Sequence, residues 1–74
     1  MLNTNKNIKT IKTIKKLIVH ESKRAVPVGV THNLQLPHFN QNIVKEITLH
    51  LIKNGTITAI LVKEKNGLWT IVFD

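Results

Sequence analysis

The chain has no cysteine and no tyrosine, only two prolines and three glycines, and three aromatic residues in all: Phe39, Trp69 and Phe73. Each shortage excludes something. Without cysteine, neither disulfides nor thiolate metal sites can staple the fold, and a reducing compartment is permitted. With so few aromatics, the core must be built from Ile, Leu and Val. The longest unbroken apolar run is Ala59 to Val62, far short of the roughly 20 residues that a membrane helix needs, so a soluble protein without a membrane partner is expected. Acids are scarce as well. Glu21, Glu46, Glu64 and Asp74 stand against eleven Lys and Arg, giving +7 at neutral pH and a pI near 10.2.

What is present is enough for one small core. Apolar residues make up 42% of the 74 positions, but a domain of this size buries only roughly 60% of the surface its unfolded chain exposes. Its stability alone is therefore marginal, and a partner is the expected staple. The excess positive charge makes phosphate the natural counter-surface for that partner. The reading is of a flexible N-terminus over residues 1–5 followed by a single α+β domain over 6–74. The segment from Met1 to Lys16 is basic and acid-free, as mitochondrial transit peptides are. It lacks the Arg and Ser of such leaders and is read as mature structure.

Near-repeats of Ile-Lys-Thr from Asn7 to Lys16 define the first element. At 100° per residue, Ile8, Ile11, Ile14, Leu17 and Ile18 fall within a half-circle, and Lys9, Lys12, Lys15 and Lys16 gather opposite, the pattern of an amphipathic helix. Thr4 or Asn5 is placed to cap its start. Lys23 and Arg24 follow and extend the lysine face into a patch. Pro27 and Gly29 then predict a loop, and the alternation Leu34-Gln35-Leu36 predicts a short strand stopped by Pro37.

Asn40 or Asn42 occupies the N-cap position of a second helix carrying Ile43, Val44, Ile47 and Leu51 and closing at Asn54-Gly55. The same stretch also alternates as a strand would through Ile47, Leu49 and Leu51, and Asn-Gly is a favoured hairpin turn. The asparagine caps and the Val44-Lys45-Glu46-Ile47 period select the helix. The end of the chain predicts a β-hairpin: Thr56 to Lys63, a turn at Lys65-Asn66-Gly67, and Leu68 to Phe73, with Trp69, Ile71 and Phe73 on one face. The expected fold class is thus α+β in the order helix, strand, helix, strand, strand, a small mixed three-stranded sheet packed on two helices.

Catalytic chemistry finds little footing. His20, His32, His38 and His50 have neither the i, i+4 spacing nor the cysteine partners that zinc needs, and the three glycines stand apart rather than in a phosphate loop. The four acids are far apart in sequence, and Ser22 is the only serine. No catalytic residue, metal site or cofactor is expected, and the protein is read as a non-enzyme.

From Ile11 onward the sequence resembles the amino-terminal half of the small-subunit ribosomal protein S-eight family. Ile11-Lys12-Thr13-Ile14-Lys15-Lys16 stands where that family has an Ile-Arg-Asn-Ala type helix segment. Leu34-Gln35-Leu36-Pro37-His38 resembles its strand end. Ile43-Val44-Lys45-Glu46-Ile47, with Leu51-Ile52-Lys53-Asn54-Gly55-Thr56-Ile57, resembles its second helix and exit, and the hairpin from Ile60 to Val72 follows in order. The weight lies in order and spacing, since none of these segments is specific alone.

Three departures stand out. Lys15-Lys16 replaces the Arg-Asn pair, exchanging a planar fork for point charges. A longer stretch near Lys23 to His32 precedes the strand. The sequence stops at Asp74, where the family continues into a second domain with a Ser-Thr loop and a Gly-Gly-Glu motif. That domain carries much of the family's RNA contact, so a reduced organellar protein or a divided gene is expected, with a separate chain supplying the missing carboxy-terminal domain. The richness in Ile, Lys and Asn fits an AT-rich genome and points to a mitochondrial or other organellar ribosome.

The resemblance implies a structural constituent of the small ribosomal subunit, with ribosomal RNA and neighbouring ribosomal proteins as partners. The basic residues of this sequence assigned to RNA are Lys9, Lys12, Lys15, Lys16, Lys23 and Arg24. Two alternatives remain open at this point. One is a winged-helix DNA-binding protein reading with residues 40–53, against which stand Pro27, Gly29 and Pro37 where a preceding helix belongs. The other is a small ribonuclease toxin using His20 or His50 with lysines.

Overall fold

The computed structural model describes residues 4–74, their side chains from residue 8 onward. Residues 1–3 of the expected flexible N-terminus lie outside the described residues, as do the side chains of Thr4 and Asn5 expected to cap the first helix. The Ile-Lys-Thr repeat forms helix α1, Thr4–Ser22. Of its apolar half-circle, only Ile14 and Ile18 are fully buried, while Ile8, Ile11 and Leu17 are 48%, 42% and 40% exposed. A helix of 19 residues is about 28 Å long, and its amino-terminal half runs past the core that its carboxy-terminal half helps to build. The exit is tied down by Ser22 Oγ donating to the Val19 carbonyl at 2.6 Å and by tight-turn bonds from the Lys23 and Arg24 amides to the His20 and Glu21 carbonyls.

Strand β1, His32–Gln35, is short and polar, as suits an edge. Leu36-Pro37-His38-Phe39 then turns the chain, with the Phe39 amide bonded to the Leu36 carbonyl and proline in the second turn position. Helix α2, Gln41–Lys53, starts at Asn40, whose side chain accepts from the amides of Asn42 and Ile43 at 2.9 and 3.3 Å. It ends where the Thr56 amide reaches back to the Leu51 carbonyl and the Gly55 amide to that of Ile52. Gly55 takes the left-handed conformation that this closure requires, at φ +80°.

Strands β2, Ala59–Lys63, and β3, Trp69–Phe73, form the hairpin, with Lys63 opposite Trp69 and Ala59 opposite Phe73. The element order is the expected one, and the fold is α+β. The pairing is not mixed. The sheet order is β1-β3-β2, and both pairings are antiparallel. The crossover through α2 does return β2 in the direction of β1, but β2 lands two positions away and β3 fills the gap. β3 takes the centre because it carries the most core-facing apolar surface, Ile71 and Phe73, and pairs along both edges.

Ile14 and Ile18 of α1, Val44 and Leu51 of α2, and Ile71 and Phe73 of β3 meet in one core, with Leu36, Ile57 and Ala59 closing its ends. Helix α2 lies between α1 and the sheet in its contacts, touching α1, β2 and β3. The other sheet face carries Asn33, Gln35, Ile60, Val62, Thr70 and Val72, by alternation along the paired strands. Thr70 is nonetheless buried there, accepting from Gln35 Nε2 at 2.8 Å and donating to Glu64 Oε1 at 2.9 Å. Among the described residues no helix is long and apolar enough to cross a membrane.

Candidate nucleic-acid interface

Because Ile14 and Ile18 set the buried seam of α1, the direction opposite them on the helix is fixed. Lys9, Lys12 and Lys16 occupy it, spaced three and four residues apart, and all are exposed. His20, one further turn along, is exposed too, and Lys23 follows three residues later on the tight turn closed by its own amide. The basic stripe is therefore Lys9, Lys12, Lys16, His20 and Lys23. His20 escapes a reading by charge count, although its i+4 spacing from Lys16 is legible in the sequence. Ile8 and Thr13 join Lys9, Lys12 and Lys16 around a shallow groove on this surface.

Two of the assigned residues stand apart. Lys15 lies four residues from Ile11 and three from Ile18, so it sits at the border of the apolar side rather than among the other lysines, although it is exposed. This departs from the expected gathering of all four helix lysines, because adjacent helical residues point about 100° apart and Lys15 and Lys16 cannot share one stripe. Arg24 Nη1 lies 3.3 Å from Glu21 Oε1, the only ion pair among the described residues. Exposed as it is, that pair adds little stability, but it cancels the charge that Arg24 would otherwise bring to the patch.

The histidines do not converge. His38 and His50 are exposed, on the turn before α2 and on α2 respectively. His32 is engaged structurally, its Nε2 donating to the Glu21 carbonyl at 2.8 Å. No group of three His, Asp or Glu side chains among the described residues is placed to hold a metal ion.

A second basic cluster is one the sequence reading missed. The ammonium groups of Lys45, on α2, and Lys63, on β2, each lie 5.8 Å from the centroid of the Trp69 ring. The Lys63 half of this cluster follows from hairpin register, since a turn at residues 65–67 sets Lys63 opposite Trp69. The Lys45 half depends on how α2 docks on the sheet and has no local signal. The backbone of Trp69 is held by its amide donating to Gln41 Oε1 at 2.9 Å, while Gln41 Nε2 donates to the Leu36 and Phe39 carbonyls at 2.8 and 3.0 Å.

The exposed face of α2, by comparison, mixes Asn42, Glu46, Leu49, His50 and Lys53. It carries an acid and a leucine among its cations. No family model matches this chain, and no curated protein or solved structure matches it.

Proposed function

We propose that this protein is a structural constituent of a small ribosomal subunit, one of organellar type, that binds ribosomal RNA through the basic face of α1 and lies against neighbouring ribosomal proteins. The observation that carries this reading is the exposed, acid-free stripe of Lys9, Lys12, Lys16 and Lys23 opposite the Ile14 and Ile18 seam. Cations at helical spacing along one exposed face follow a phosphate backbone, release its counterions and fix position without reading sequence. Double-stranded RNA is recognised mostly in this manner, by shape and by phosphate and 2′-hydroxyl contacts. The element order supports the likeness to the amino-terminal half of the S-eight family. The partly exposed Ile8 and Ile11 on the overhang give the helix apolar surface for a neighbour in an assembly.

The winged-helix alternative is less well supported. The chain passes from β1 to α2 through the Leu36–Asn40 turn without an intervening helix, and the exposed face of α2 is mixed in charge where the lysine stripe of α1 carries no acid.

The test is sedimentation of native extract through a gradient at rising salt, following the protein by mass spectrometry. Comigration with small subunits, lost only as salt rises, is expected. In a purified system, four lysines on phosphates give a fall of log affinity with log salt of slope roughly 3 to 4. Absence from the small subunit together with a flat salt dependence would overturn the reading.

A further inference from the structure

We infer that Trp69, Lys45 and Lys63 form a second RNA contact, one that takes an unpaired nucleotide, with the indole stacking the base and the two ammonium groups binding the phosphates that flank it. This deepens the proposed RNA-binding role and rests on it, but uses no residue of α1.

The argument begins with charge. Two cations converge on one ring, each 5.8 Å from its centroid and so no farther apart than twice that distance. Two ammonium groups beside one ring concentrate positive charge there unless a carboxylate neutralises it. No carboxylate does so: the Glu64 side chain is bonded to Thr70, on the opposite face of the sheet, and the only ion pair among the described residues joins Arg24 to Glu21. The ring provides a weak electrostatic attraction to each ammonium group, of a strength that phosphate readily displaces at an exposed site.

The second element is the platform. Trp69 is half-buried and its backbone is fixed in the central strand and bonded to Gln41 of α2, so the position from which the ring projects is set before a ligand arrives and the ordering cost on binding is reduced. A fixed aromatic ring beside unpaired cations matches the requirements of single-strand binding: a π-surface for any base and positive charge for the backbone on either side of it. In the free protein the lysines rest near the ring. In the complex they exchange it for phosphate, and a base takes their place.

Trp69 is the only tryptophan of the chain, so its fluorescence reports on this site alone. The experiment titrates the full chain with single-stranded hexauridylate and, separately, with a blunt RNA duplex. Saturable quenching by the single strand is expected. The double variant Lys45→Gln/Lys63→Gln should bind it more weakly, with a salt slope lower by about 0.7 for each lysine removed. Trp69→Ala, followed by anisotropy of a labelled strand, should bind roughly 5- to 150-fold more weakly. Should that variant not fold, Trp69→Phe keeps a smaller platform and should show an intermediate loss.

Tryptophan emission unmoved by the single strand, or quenching equal in wild type and the double-lysine variant, would overturn the inference. If the single strand leaves the emission unmoved while the duplex binds and is weakened by Lys12→Gln/Lys16→Gln, the α1 reading stands and this inference fails. Quenching that depends on Lys45 and Lys63 while the α1 variants bind all RNA normally would uphold this inference and remove the α1 reading.

Discussion

The ring of His32 stacks on that of Phe73, centroids 5.0 Å apart and planes 18° from parallel, and its Nε2 donates to the carbonyl of Glu21 at 2.8 Å. One side chain thereby joins the last turn of α1, the start of edge strand β1 and the centre of the sheet. Because a carbonyl only accepts, the proton is on Nε2, and Nδ1 is left buried with no partner among the described residues. Two consequences oppose each other: the bond and the stack stabilise, and the orphaned nitrogen destabilises. His32→Phe keeps the stack and removes both the bond and the orphan, so its urea midpoint should lie near wild type. His32→Ala loses stack and bond together and should cost about 1–3 kcal/mol. The reverse order would show that the ring packing contributes little.

Gln41 is a three-point clamp whose amide holds two carbonyls and one amide at once. Gln41→Glu would turn a carboxylate oxygen toward the Leu36 and Phe39 carbonyls in place of a donor. At neutral pH this should destabilise by about 1–3 kcal/mol. The deficit relative to wild type should shrink on acidification, because a protonated carboxyl regains one donor. Paired denaturation curves at pH 7 and pH 4 measure this, and a deficit that does not depend on pH would dismiss the clamp.

For RNA, the positions on α1 are not equivalent. Lys12→Gln, Lys16→Gln and Lys9→Gln should each lower the slope of log affinity against log salt by about 0.7–0.9. Lys15→Gln, at the apolar border, and Arg24→Gln, already paired with Glu21, should change it much less. Equal effects at all positions would mean that the contact is diffuse rather than borne on one stripe.

Thr48 is fully buried, its hydroxyl donating to the Val44 carbonyl at 2.7 Å within α2. That carbonyl remains an acceptor for the helix if the hydroxyl is removed, so Thr48→Val, similar in shape, should stay within about 1 kcal/mol of wild type. Leu51→Ala, one turn away and equally buried, should cost about 2–5 kcal/mol through lost transfer energy and the cavity left behind. Thermal melts separate the two readily.

The ends of α2 provide a further check. Asn40→Ala removes an oxygen that accepts from two amides and should cost about 0.5–2 kcal/mol. Gly55→Ala has open space for its methyl group, so its cost, about 1–2 kcal/mol, comes from φ +80° alone. At this chain length each kcal/mol appears as a shift of roughly 4–8 °C in melting temperature.

Taken by itself, the sequence determined the kind and order of the elements. Asn40, Gly55, Pro37 and the Lys65-Asn66-Gly67 turn act through bonds to neighbours a few residues away, so their meaning is present locally, and the repeat of isoleucine at helical spacing is equally local. It also determined the excess of positive charge and most of the stripe on α1. Only the tertiary structure decided that β3 takes the centre of an antiparallel sheet, that the buried seam of α1 narrows to Ile14 and Ile18, and that Lys45 meets Trp69. These outcomes depend on which apolar surfaces bury the most area against each other. That choice is made between segments distant in the chain, where periodicity has no information to give.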